Sequence, residues 1–95
     1  MVVGTGRMVF RLYDCRSLKE KRGIVKSIVG RIRNKFNVSM AETGLNDSLS
    51  MAEIGFSVTG NDRRFINATM DKIINMADEM NLAPIVETDM DIISY

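Results

Sequence analysis

Ninety-five residues, 45% hydrophobic and 26% charged with one proline, suffice for one modest core and not for two. No apolar run approaches a membrane span, no leader pattern opens the chain, and the lone Cys15 excludes an internal disulfide framework. A reducing, cytoplasmic compartment is therefore expected, with no membrane as a partner. The net charge of +1 conceals an asymmetry: residues 1–50 carry ten Lys/Arg against four Asp/Glu, and residues 51–95 carry three against eight.

Residues 2–13, VVGTGRMVFRLY, alternate as a strand does. Met8, Phe10 and Leu12 fall on one side; Arg7, Val9, Arg11 and Tyr13 fall on the other. Asp14-Cys15-Arg16 is a short connection. Ser17 and Glu20 fit a capping box, the serine oxygen taking a helix amide while the glutamate reaches back. The stretch SLKEKRGIVKSIVGRIRNKF, 17–36, reads as one helix whose Leu18, Val25, Ile28, Val29, Ile32 and Phe36 form one apolar stripe. Asn37 ends it.

Residues 38–43 and 49–59 read as a hairpin joined by the turn-rich GLNDS at 44–48. Gly60-Asn61-Asp62 opens a second helix, capped by Asn61 or Asp62. Its inner face is Phe65, Ile66, Met70, Ile73, Met76, Ala77 and Met80. Asn81 to Pro84 stop it, and 85–94 return to period two.

Strand, helix, strand, strand, helix, strand, with right-handed crossovers, predicts an α+β fold. The expected form is a single ferredoxin-like domain over 1–95: a split βαβ with a four-stranded antiparallel sheet and both helices on one face. The first strand then lies between the third and the fourth. The covered face receives Met8, Phe10, Leu12, Ile54, Phe56, Val58, Val86, Met90 and Ile92.

The open face collects Arg7, Val9, Arg11 and Tyr13, then Glu53, Gly55, Ser57 and Thr59, then Glu87, Asp89, Asp91 and Ile93. Many RNA binders of this architecture stack bases on aromatic rings at its centre, which here holds Val9, Arg11, Gly55 and Ser57. The acids are expected to face Arg7 and Arg11 across the sheet. A self-neutralised surface is one reading; an oligomer face with Val9, Tyr13 and Ile93 as apolar contacts is the other.

The charge is concentrated on the first helix. Residues 16–35 hold eight basic side chains against Glu20 alone. Lys19, Arg22, Lys26 and Arg33 lie within about 60° of one another on the wheel, with Gly23 and Gly30 beside them, while Lys21, Arg31 and Lys35 lie on the other shoulder. Charged helix faces are usually just solvated. Here almost no i,i+4 acid relieves the repulsion, and an anionic partner would reverse its sign. Arg16, Lys19, Arg22, Lys26 and Arg33 are accordingly the candidate nucleic-acid contacts, and Arg16 with Ser17 a candidate anion site at the helix start.

No catalytic constellation is visible. Histidine is absent, Cys15 has no histidine to activate it, and Asp89 with Asp91 falls well short of the oxygen donors calcium takes, the arginines opposite accounting for both acids. Neither an enzyme, a cofactor nor a metal site is expected. The glycines of GTGRMVFR, 4–11, do not frame a phosphate loop as in acylphosphatases, because the period-two pattern runs straight through them.

The text SLKEKRGIVKSI with RIRNKFNVSMAE, followed by GND before the second helix, resembles the YlxP-like family of small bacterial proteins. Leu18, Lys19, Glu20, Lys21, Arg22 and Lys26 match its motif, as do Arg33, Lys35, Phe36, Asn37 and Val38. The sequence departs from the family where Ser48, Leu49 and Ser50 follow Asp47 without an aromatic or a glutamine. The resemblance implies a ferredoxin-like fold and genes placed beside translation initiation and ribosome maturation factors; it implies no activity. The expected function is a non-enzymatic RNA-binding or ribosome-associated protein that contacts the phosphate backbone of structured RNA through its first helix. The alternative is a homodimer or higher homo-oligomer assembled through the open sheet face without nucleic acid.

Overall fold

The computed structural model describes all residues, Met1–Tyr95. Its elements are β1 (Val2–Arg11), α1 (Leu18–Lys35), β2 (Ser39–Gly44), β3 (Met51–Gly60), α2 (Arg63–Glu79) and β4 (Ile85–Ser94). The strands lie in the order β2-β3-β1-β4 and every neighbouring pair is antiparallel. This is the ferredoxin-like α+β arrangement, with β1 between β3 and β4. No helix is long and apolar enough to cross a membrane.

One core holds the molecule together. Met8, Phe10 and Leu12 of the first strand segment meet Ile54, Phe56 and Val58 of β3 beneath Val25, Ile28 and Ile32 of α1 and Ile66, Met70, Ile73 and Ala77 of α2. The two β1 glycines belong to this packing. A Cβ on Gly4 would lie 2.6 Å from the Met70 sulfur, and one on Gly6 would overlap the Phe56 ring. These positions are small because α2 and Phe56 come down onto the strand there, not because the backbone turns.

The helix starts are built as their residues dictate. Ser17 Oγ accepts from the Glu20 amide at 3.1 Å, and Glu20 Oε2 reaches one residue past the N-cap to accept from the Arg16 amide at 3.1 Å, a variant of the expected capping box. Asp62 caps α2, its Oδ1 accepting from Arg64 N at 2.9 Å and Phe65 N at 3.4 Å.

Three expectations about burial, and one about the length of the first strand, need correction. Val86 is 53% exposed, because the β1–β4 register shifts between Val9 and Phe10 and pairs Phe10 with Ile85, so Ile85 packs against the core in its place. Met90 keeps the inward register, opposite Gly6, yet is exposed because β4 is an edge strand with a neighbour on one side only. Phe65 is 68% exposed. The buried stripe of α2 is centred on Ile66, Met70, Ile73 and Ala77, and Phe65 is turned about 100° from it. The first strand ends at Arg11, and the chain leaves the sheet through Asp14 at φ 58.

Gly6→Ala tests the close approach. Overpacking beneath Phe56 should cost about 1–3 kcal/mol of unfolding free energy, read from urea denaturation; an unchanged midpoint would show that Phe56 moves aside freely.

Candidate nucleic-acid interface

Eight cations enter α1 and its approach, and one of them turns inward. Lys21 is only 2% exposed. Its ammonium donates to Leu45 O at 2.6 Å and Ser48 O at 2.7 Å, and Glu42 Oε2 lies 3.3 Å away. These acceptors belong to β2 and to the β2–β3 loop, 45–50, so Lys21 fastens that loop to the helix. A buried ammonium is tolerable only when charge and hydrogen-bond partners replace water, and here two carbonyls and a carboxylate do so. The wheel reading placed Lys21 on a shoulder with Arg31 and Lys35. The signal that could have found it is its spacing: Lys21, Val25, Ile28 and Ile32 are the four buried residues of α1 at i, i+4, i+7 and i+11.

The other seven point outward. Arg16, Lys19, Arg22, Lys26, Arg31, Arg33 and Lys35 are all exposed. The ion pairs of the molecule involve only Arg7 and Lys21, so none of the seven has a carboxylate oxygen within 4 Å of its charged nitrogen. Lys19, Arg22, Lys26 and Arg33 follow one another along one exposed flank of the helix, about 120° round from the core stripe. Gly23 and Gly30 interrupt that row, and a Cβ at either would meet nothing within 4 Å. No packing demand explains these glycines. At the helix start, the Glu20 amide donates to Ser17 Oγ and the Arg16 amide to Glu20 Oε2, so two of the amides near the candidate anion site at Arg16 and Ser17 are engaged.

The open sheet face has the opposite character. Arg7 pairs with Glu53, with Glu87 at 2.9 Å and with Asp89 at 2.6 Å, and Thr43 Oγ1 donates to Glu53 at 2.8 Å. The Arg7 guanidinium and then the Thr43 hydroxyl hold the Glu53 carboxyl below the usual carboxylate range, and these same carboxylates raise Arg7 further. The stabilisation this gives is present above the ordinary carboxylate pKa and fades as pH falls through the depressed Glu53 value. With three acids on one arginine and Asp91 alongside, the face is net negative.

Arg11 does not share in this network, contrary to the expectation that it faces the acids. Its place opposite Met51 lies beyond the last β1–β4 pair, and its guanidinium instead sits over the Tyr13 ring, 5.6 Å from the centroid. The three residues read as an oligomer face do not form one patch. Val9 is 3% exposed between Glu53 and Glu87 on its flanking strands and offers no surface. Ile93 pairs with Val3, so it and Tyr13 are separated by the length of β1, about 30 Å. The centre of the face is a shallow hollow of about 390 Å³ beside Arg7, walled by small residues such as Ser39, Ala41, Gly55 and Ser57, with no exposed ring in it.

Lys21→Met should lower the unfolding free energy by about 3 kcal/mol, because it strands a partly buried carboxylate and two loop carbonyls. Adding Glu42→Gln should restore part of the loss. Hydrogen exchange would show the effect first at residues 45–50; an unaltered loop in Lys21→Met would contradict the clamp.

Residues 3–90 match the family described as "Protein of unknown function (DUF503)". The uncharacterized protein YlxP of Bacillus subtilis is 34% identical over 67 residues, covering 70% of this chain and 73% of its own. Among solved structures, the de novo designed protein Foldit4 superposes with a TM-score of 0.60 at 14% identity, covering 99% of this chain and 97% of its own. The crystal structure of At3g17210 from Arabidopsis thaliana superposes at 0.54 with 9% identity, over 98% of this chain and 94% of its own. At those identities the two structures speak for the fold alone. The family match over nearly the whole chain and the similarity to YlxP agree, and the chain belongs to the DUF503, YlxP-like family.

Proposed function

We propose that the protein binds structured RNA through the solvent face of α1, without catalysis, in a ribosome-related setting. One observation carries this reading: seven cations on and beside one helix have no internal carboxylate partner, while the acids of the chain are gathered around Arg7 or dispersed elsewhere. Like charges at i,i+3 and i,i+4 destabilise a helix that carries them, and a polyanion converts that repulsion into attraction. The negative sheet lies on the side of the molecule away from the helices, so it would orient the basic face toward a polyphosphate. Arg16, Lys19, Arg22, Lys26 and Arg33 contact phosphates, with little reading of bases on this face. The gene neighbourhood implied by the family resemblance fits such a partner.

Binding to a structured RNA should weaken steeply with salt, the logarithm of the affinity falling by somewhat less than one unit per tenfold salt for each phosphate neutralised. Lys26→Glu and Arg33→Glu should each lower the affinity and flatten that slope by about one. A salt-independent affinity, or reversal without effect, would sink the proposal. Sedimentation velocity across a dilution series separates it from the alternative, since a monomer at every concentration excludes assembly through the sheet.

Gly23→Ala and Gly30→Ala should each stabilise the fold by about 1 kcal/mol, because the new methyl meets only solvent and the helix gains propensity. If a phosphate strand approaches the backbone there, the same substitutions weaken RNA binding. Unimpaired binding in the doubly substituted protein would mean that the strand passes elsewhere.

A further inference from the structure

The cationic row of α1 ends at a groove. Arg33 is its last member, and with Asn34, Lys35, Phe36, Asn37 and Val38 it walls a hollow of about 410 Å³ at the end of the helix. A second hollow of about 490 Å³ shares Lys35 and Phe36 as walls and continues to α2, where Lys72, Asn75, Met76 and Glu79 complete it. This is the largest concavity in the molecule. The cations Arg33, Lys35 and Lys72 oppose one acid, Glu79, across the two hollows, which together form the groove. The amides of Asn34, Asn37 and Asn75 stand around its rim, and none of these polar groups is tied up in an ion pair.

Its floor differs from the rest of the basic surface. Phe36 and Met76 are half-buried; each packs one side against the core and presents the other to the groove. The chain brings an aromatic ring here because α1 stops at Lys35. Phe36 has left the helix, with φ −124 and ψ 144, while its amide still donates to Ile32 O at 2.8 Å. A ring edged by cations and free amides is what an unpaired nucleotide requires: stacking for the base, donors and acceptors for its edge, and positive charge for the flanking phosphates. On the open sheet, by contrast, the central Arg7 is held among three carboxylates, and the Tyr13 ring at the end of the face already lies beneath Arg11.

We infer that the α1–α2 groove seats an unpaired nucleotide of a single-stranded RNA segment, its base on Phe36 and Met76 and its flanking phosphates on Arg33, Lys35 and Lys72. This rests on the RNA reading of α1 and extends it: the row from Lys19 to Arg33, about 21 Å of helix, carries the backbone, and the groove selects a strand whose base is free to leave the stack. Glu79 lies at the edge of the groove, where it can accept from an exocyclic amine.

The test is fluorescence anisotropy with a labelled single-stranded RNA decamer and with the duplex formed by it and its complement. Charge alone favours the duplex, whose phosphates are denser. The wild-type protein should instead bind the single strand about fivefold tighter or better, a margin within the range of one stacked base. Phe36→Leu, which keeps an apolar side chain against the core, and Lys72→Glu on the exposed surface should each abolish that preference while leaving duplex affinity near its starting value. Equal affinity for the two RNAs, or a preference that survives Lys72→Glu in folded protein, overturns the groove and leaves the helix reading standing. No binding to either RNA overturns both. Adenosine or uridine monophosphate that binds as tightly as the decamer would assign the groove to a free nucleotide and overturn the strand.

Discussion

The buried ammonium of Lys21 connects parts of the chain that local sequence alone would leave independent. It lies in the core stripe of α1 and takes its partners from β2 and from the loop that follows. Its contacts with Leu45 O and Ser48 O hold a six-residue connection with one left-handed residue, Leu45, against the start of the helix. The rotation of α1 about its own axis is thereby fixed twice, by apolar burial of Val25, Ile28 and Ile32 and by this charge. With that rotation set, the row from Lys19 to Arg33 must face water. A lysine inside the helix thus helps to determine where the lysines outside it point.

Charge is sorted by face. On the open sheet, Arg7 gathers Glu53, Glu87 and Asp89 from both flanking strands, and the register that does this also buries Val9 between two of those acids. On α1 there is almost nothing to gather, because the nearest acid, Glu20, is engaged in the capping box and Glu42 is turned to Lys21. A chain of net charge +1 can therefore present a negative sheet and a positive helix at once. Coulomb energy between exposed charges is small in water and screened by salt, so this separation contributes little to stability. Its consequence lies in association, where complementary fields set encounter and orientation.

The groove between α1 and α2 extends that field into shape. Where the helix row is a line of cations over bare backbone, the groove adds an aromatic floor and unpaired amides, groups that recognise a base as well as a phosphate. The two features join at Arg33. Backbone attraction and base selection would then be performed by adjacent surfaces of the helical layer, in place of the sheet that many proteins of this architecture use.

Much of the fold is visible in the sequence because its signals are local. Capping at Ser17 and Asp62, the alternation of β1 and the apolar stripes depend on spacings within a few residues, and their order narrows the topology to a few, this one among them. What the spacing misjudged depends on partners distant in the chain. Val86 points outward because of a bulge that only pairing with β1 creates, Phe65 because α2 settles on Ile66 and Met70 against Gly4, and Val9 is covered because Glu53 and Glu87 arrive from other strands. The cationic composition of α1 was legible from residue types alone. Which cation is removed from that face, and that the remaining row ends at a groove with Phe36 in its floor, required the tertiary structure, since burial and enclosure are properties of surfaces that meet only after the chain has folded.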